Sequence, residues 1–332
     1  MAILKRFAKS GEDQLHFVNP PYALIPVLPL VSFPFPMAQA AWMAFGLLIL
    51  CLAFAFAFFQ TPPWLMASLL TFYPIFFGFL LGNFDILIIS LLFLLIGRLP
   101  HLTPDNKAGQ IILGICLAWV TIKPQFIWFY CLFSLLMAIQ KQLWGFLYGF
   151  AGGLGAFLAI SFLIVPNWIT GWTNRVIRYP SYTGGKISIT PLLESFLPSQ
   201  YFAHAYLICF FILMGILGVL LHKWHKGEFS ALSILAFGGF ITFFFHPHGN
   251  SYEQLTFLIP VIIWIVQLAR KHSRKAAIAW IFLVLLSWLV FVLSRFGPLA
   301  AASSTGLYLF YTIWLIFGIL LPPRFLKGLE IS

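Results

Sequence analysis

Hydrophobic runs of 14 to 23 residues recur along the whole chain with charges almost excluded from them, and this pattern limits the fold more than any motif. A hydrocarbon core of about 30 Å takes roughly 20 helical residues to cross, and a helix satisfies its own backbone there. Eleven segments meet or approach that need: 37–59, 64–81, 84–97, 108–122, 125–139, 143–165, 201–221, 229–245, 255–269, 276–294 and 305–322. The stretch 64–97 is too long for one straight span, and Gly82-Asn83 in its middle is a turn pair, so it divides there. The expectation is an all-α, polytopic transmembrane bundle of about eleven spans forming a single integral membrane domain over 1–332. Within it, 1–36 is an outer and interfacial segment, 37–165 a first helical group, 166–200 a long outer loop and 201–332 a second helical group.

Composition excludes the soluble alternatives. Water-facing domains carry about 25% charged residues, whereas this chain carries 8%, with a mean hydropathy of +0.98. Its net charge of +11 is not a nucleic-acid footprint, because lysine and arginine sit in short clusters between apolar runs. No apolar run and cleavage site of a signal peptide follow the charged first residues. Cys51, Cys116, Cys131 and Cys209 all fall inside apolar runs at spacings suited to neither a metal nor a disulfide, so buried small hydrophobes are expected.

The loops divide by charge. From the C-terminus backwards, alternate connections hold Arg324 and Lys327; Arg270, Lys271, Arg274 and Lys275; Lys223 and Lys226; Lys141; Arg98 and Lys107. That side is expected to be cytoplasmic. The other side receives Gly82-Asn83, Lys123-Pro124-Gln125, 166–200, 246–254 and 295–304. An odd span count with the C-terminus inside leaves Lys5, Arg6 and Lys9 on the outer face with no preceding helix. Either one span is miscounted or a first helix is absent from this chain.

The outer side also gathers the groups able to do chemistry. Ionisable residues at membrane depth are costly and mark functional sites by default. Asp85, Lys123 and Glu253 each abut a predicted span, the alternative being that they cap helices at the water interface. Pro124 interrupts the helix ladder and restricts Lys123, so Thr121–Gln125 is predicted to be a break or turn. A lysine there can meet a lipid phosphate as a compact charge or extend to the headgroups. In 166–200, Trp168, Trp172, Tyr179 and Tyr182 interleave with Arg175, Arg178 and Lys186. Arg175 and Arg178 would share one face of a short helix. This arrangement suits sugar rings and phosphates, or an amphipathic helix lying in the interface. His246 and His248 make an H-x-H without nearby acids, a weak metal pattern, and a role in orienting a phosphate or hydroxyl is preferred. No metal and no cofactor are expected.

Four stretches then carry a family resemblance. FVNPPYALIPVLPLVSFPFPMAQAAW (17–42) resembles the Y/N-P-P…P-L…P…A…W stretch of family-87 glycosyltransferases. GNFDILIISLL (82–92) stands where that family has Gly-Gln before an apolar helix. AGQIILGICLAWVTIKPQFIW (108–128) is similar to its A-G…K-P-Q pattern, and HPHGNSYEQLTFLIP (246–260) to its S-P-H…Y-D…L-L-P segment. No single motif is specific; their common order over roughly 15–265 is.

The resemblance implies a multi-span enzyme of the GT-C class. It would move mannose or another hexose from a polyprenyl-phosphate donor to a lipid or glycan acceptor, on the extracytoplasmic face of a bacterial plasma membrane. By position it assigns Lys123, Gln125 and His248 to the family's motifs, with Arg175, Arg178 and His246 as further phosphate partners. Asn83, Tyr252, Glu253 and Trp172 become candidates for substrate contact. The family pattern opens with a transmembrane helix and a loop bearing the catalytic aspartate, and neither precedes the P-P motif here. The base is therefore expected among Glu12, Asp13 and Asp85. A ligase or polymerase of lipid-linked glycans, relying on outer arginine and histidine, is a rival reading. A transporter is another, although no internal repeat is evident and the polar groups gather at one face rather than the midplane.

Overall fold

A computed structural model describes residues 19–57, 62–182, 188–245 and 255–296, with Gly306, Leu309, Phe310 and Ile313 beyond. Among the described residues every regular element is helical. A 3-10 helix over Pro21–Leu30 precedes α1 (Phe35–Ala57), α2 (Pro63–Ser68), α3 (Tyr73–Leu80), α4 (Asp85–Arg98), α5 (Lys107–Val120) and α6 (Pro124–Gln140). There follow α7 (Trp144–Ile164), α8 (Trp168–Tyr182), α9 (Ile189–Phe196), α10 (Ser199–His225), α11 (Ala231–Phe244), α12 (Leu255–Lys271) and α13 (Ser273–Phe296). The predicted apolar segments up to residue 294 each lie on these helices within a few residues. Three details differ. The 64–81 segment is broken at Phe72, where α2 with its 3-10 extension and α3 meet at 62°, because Pro74 begins a new helix. The long loop 166–200 contains α8 and α9. Cys51 is exposed on α1 and the other three cysteines are half-buried, so none is the fully buried small hydrophobe expected.

Helix length follows what each helix faces. Among the described residues, only α1, α7, α10 and α13 are long and apolar enough to cross a membrane alone, and between 6% and 28% of their most apolar stretches is buried. The helices α4 and α11 have 14 residues each, about 21 Å at 1.5 Å per residue. Nine residues of α4 and ten of α11 are buried. A helix that meets lipid has to match its thickness, whereas one sheathed by protein does not. With the bent α2–α3 pair the full-length count reaches five. The expected eleven spans are therefore not established.

Two close seams organise the bundle, and both are parallel pairs that skip what lies between them, the bent α2–α3 pair in one and α6 in the other. On α1 and α4, Trp42 meets Phe84 edge-on, Gly46 faces Ile86, Phe54 meets Phe93 and Gly97 abuts Ala57. On α5 and α7, Gly145 lies against Gln110, Gly149 against the Ile111 backbone, and Gly153 against Ile115 and Ala118. Gly114 completes this second seam, since a Cβ there would fall inside contact distance of the Phe146 carbonyl oxygen. Glycine at every fourth position lets two backbones approach where no hydrophobic effect drives helices together. The buried Gln110 fixes the register: its amide nitrogen donates to Thr103 and Pro104 oxygens at 2.8 and 3.0 Å, and its Oε1 accepts from the Gly145 amide at 2.9 Å.

Candidate active site

Helices α4 and α6 begin at the same place. The chain turns into α4 through Gly82, whose φ of +62° is a conformation glycine adopts without strain, and the Trp42 indole donates to its carbonyl at 2.8 Å. Asp85 is the first residue of α4. After α5 ends at Val120, Thr121–Lys123 form the predicted turn and Pro124 opens α6 with Lys123 as its N-cap. The fixed proline ring suits a first helical position, where no amide hydrogen is needed. The turn is tied down by Thr121, which donates to Ala118 O at 2.6 Å and accepts from the Tyr22 hydroxyl at 2.9 Å. Tyr22 in turn stacks on Phe157 of α7.

The convergence makes an ion pair. Lys123 Nζ stands 2.8 Å from Asp85 Oδ1, and both side chains are less than a tenth exposed. Nζ also reaches Asn83 Oδ1 at 3.5 Å and lies 5.8 Å from the centroid of the Phe126 ring. Asp85 Oδ2 is buried and has no hydrogen-bond partner among the described residues. Removing charges from water costs several kcal/mol per ion unless each is paired, so the pair is mutually required. The positive ends of two helices add to Lys123: a carboxylate is favoured at the start of α4, and a cation is disfavoured at the start of α6. One carboxylate thus faces a lysine and two helix N-termini, and the local field attracts a further anion.

The pair lies below the rim of the bundle. Asp85 is level with the Gly46 region of α1, roughly 16 Å along that helix from Phe35 at about 1.5 Å per residue. On the other side α7 continues from Gly153 to Ile164, again about 16 Å. Trp42, Phe84 and Trp119, in successive ring contact, wall the same region.

Of the residues singled out in the sequence, the structure brings together Asp85, Lys123 and Asn83. Gln125 is exposed on the first turn of α6. Arg175, Arg178 and Trp172 stand on α8, which follows α7 at this same end. Both arginines are exposed, and Trp172 packs on the buried Trp168 with ring centroids 6.0 Å apart. Glu12, Asp13, Lys186, His246, His248, Tyr252 and Glu253 lie outside the described residues. Among those described, no three His, Cys, Asp or Glu side chains gather as a metal site.

Sequence reasoning weighed Asp85 and Lys123 singly and missed their pairing. The available signal was two opposite charges, each opening an apolar run on the same predicted side. It also passed over Trp42 and Tyr22, which hold the two turns.

Helices sheathed by longer apolar helices, with a charged pair set into one end, define an all-α membrane protein. The chain belongs to glycosyltransferase family 87, whose model matches residues 17–247. That match spans the 3-10 helix, both glycine seams and the Asp85–Lys123 pair. No curated protein and no solved structure matches the chain.

Proposed function

We propose that this glycosyltransferase takes a hexose from a polyprenyl-phosphate donor and transfers it to a lipid or glycan acceptor, with chemistry in the recess above Asp85 and Lys123. The observation that carries this reading is the buried pair at two converging helix N-termini. An anionic headgroup gains from Lys123 and both dipoles, while its polyprenyl tail stays in the surrounding lipid. The side opposite the regularly alternating basic connections (Arg98 and Lys107, Lys141, Lys223 and Lys226, Arg270 to Lys275) is taken as the extracytoplasmic one by the positive-inside rule.

The reaction follows from the two charges. The acceptor hydroxyl oxygen bonds to the anomeric carbon as the bond from that carbon to the phosphate oxygen breaks, its electrons leaving with the phosphate. The hydroxyl proton passes to a carboxylate, and a cation stabilises the departing phosphate. Asp85 offers Oδ2 as the accepting atom. Lys123 holds Oδ1 at 2.8 Å, and a donor phosphate that draws Lys123 to itself releases that oxygen, so the whole carboxylate faces the acceptor only once the donor is bound. Arg175 and Arg178 on α8 serve as further phosphate partners at the rim.

The test uses the full chain in nanodiscs, supplied with a polyprenyl-phosphate hexose and, separately, with a lipid-diphosphate oligosaccharide. Hexose transfer from the monophosphate, with donor binding lost in Lys123→Ala, is the expected result. Normal donor affinity in Lys123→Ala removes that residue from the site. Transfer from the diphosphate donor alone replaces this reading with that of a glycan ligase.

A further inference from the structure

The opposite end of the bundle holds a cavity open on one side, with ≈ 640 Å³ of empty space counting its solvent-filled mouth. It lies where α1, α4, α6 and α12 end and α11 begins. Its walls are apolar, Phe133, Leu232 and Ile263 among them, and its polar lining among the described residues is His101, Gln267 and Arg270. Among the described residues no carboxylate lines it; Asp105 and Glu228, the described acids at this end, are not part of the wall. The electrostatic neighbours of His101 are all cationic. Desolvation first, then Lys141, Arg98 and Arg270, hold its imidazole below the ordinary value. The Lys141 ammonium is itself anchored on the Pro100 carbonyl, beside this mouth.

A basic mouth with no counter-charge among the described residues, above an apolar wall, matches one kind of ligand. A soluble phosphate would not use the wall, and a neutral apolar molecule would not use the cations. Arginine forks onto phosphate oxygens with two parallel bonds, and basic residues at a membrane surface attract anionic lipid. We infer that this cavity binds an anionic phospholipid, its phosphate on Arg270, Gln267 and His101 and one acyl chain along Phe133, Leu232 and Ile263. The site stands apart from Asp85 and Lys123 and is independent of the proposed transfer reaction.

The experiment measures thermal unfolding of the full chain in detergent with added phosphatidylglycerol, phosphatidylcholine or inorganic phosphate. Phosphatidylglycerol should raise the midpoint and phosphatidylcholine should not. In Arg270→Gln the lipid concentration needed for the same rise should increase about tenfold, as expected for loss of a charge-assisted bond. Leu232→Trp, which fills the cavity while keeping every cation, should abolish the effect. Gel filtration confirms that both variants remain monodisperse. Equal stabilisation by the two lipids, no rise in the parent chain, or an undiminished rise in both variants would overturn the assignment. Displacement of phosphatidylglycerol by an equal concentration of inorganic phosphate would make this a soluble-anion site instead.

Discussion

Asp85 and Lys123 each keep the other's charge tolerable in the interior, which makes their single and double replacements informative in different ways. Either Asp85→Asn or Lys123→Met leaves a buried charge unmatched, at a cost of about 3–5 kcal/mol. The double variant removes both charges and should recover most of that stability in a detergent melt. Transfer should stay at least about 100-fold down in all three, because each lacks the base, the cation that meets the departing phosphate, or both. A double variant as unstable as the singles would show that the 2.8 Å contact is not what holds the turns together. Trp42→Phe is the milder probe. It deletes the bond to the Gly82 carbonyl, worth about 0.5–1.5 kcal/mol, and keeps the ring contact with Phe84. A small stability loss and a larger fall in transfer would place Trp42 behind the positioning of Asn83 and Asp85; unchanged transfer would make it structural only. Asp85 and Lys123 each stood out from the sequence by a charge beside an apolar run, whereas Trp42 did not. Nor did the partnership of the two charges, since Asp85 and Lys123 are separated by a whole helical hairpin and only the packed bundle sets their distance.

At the scale of the element, the two faces of α7 predict opposite outcomes for the same substitution. Gly149 meets the Ile111 backbone, whereas Gly152 and Gly155 have nothing within 4 Å. Gly149→Ala should force α5 and α7 apart and lower the melting midpoint. Gly152→Ala and Gly155→Ala should be neutral or stabilising, because alanine is the better helix former by up to about 1 kcal/mol. Equal destabilisation by all three would remove the seam from the account of this fold. Helix positions were legible in the sequence because apolar length and turn residues are local signals. The 62° break at Phe72 was less so, although Pro74 marked it. The helical content of 166–200 was open to view in the Arg175–Arg178 spacing and in the tryptophans, but a helix lying along a surface leaves no continuous apolar run to announce itself.

For the whole molecule the expectation concerns sidedness. Glu194 on α9 and Lys226 after α10 are both exposed and stand at opposite ends of α10. Single cysteines introduced there, in a chain stripped of its own four, should react with a membrane-impermeant maleimide from opposite sides of sealed vesicles. The Lys226 position should be the cytoplasmic one. Labelling of both from one side would refute the alternating topology. This expected polarity rests on the sequence alone, because loop charge is read directly. It could not supply the span count, because short helices such as α4 and α11 are permitted only by the long neighbours that enclose them.

The skipped-helix pairing of the two seams also sets an order in time. While the chain is being made, α5 cannot find its glycine partner in the helix that follows it, only in the one after that. Roughly 40 residues separate Gly114 from Gly153, which at about 5–20 residues per second amounts to some 2–8 s of synthesis. During that interval α6, carrying Lys123 at its start, must be set aside without closing the notch on α5. A nascent chain halted between α6 and α7 would hold both members of the charged pair and still lack the wall that keeps their turn in place.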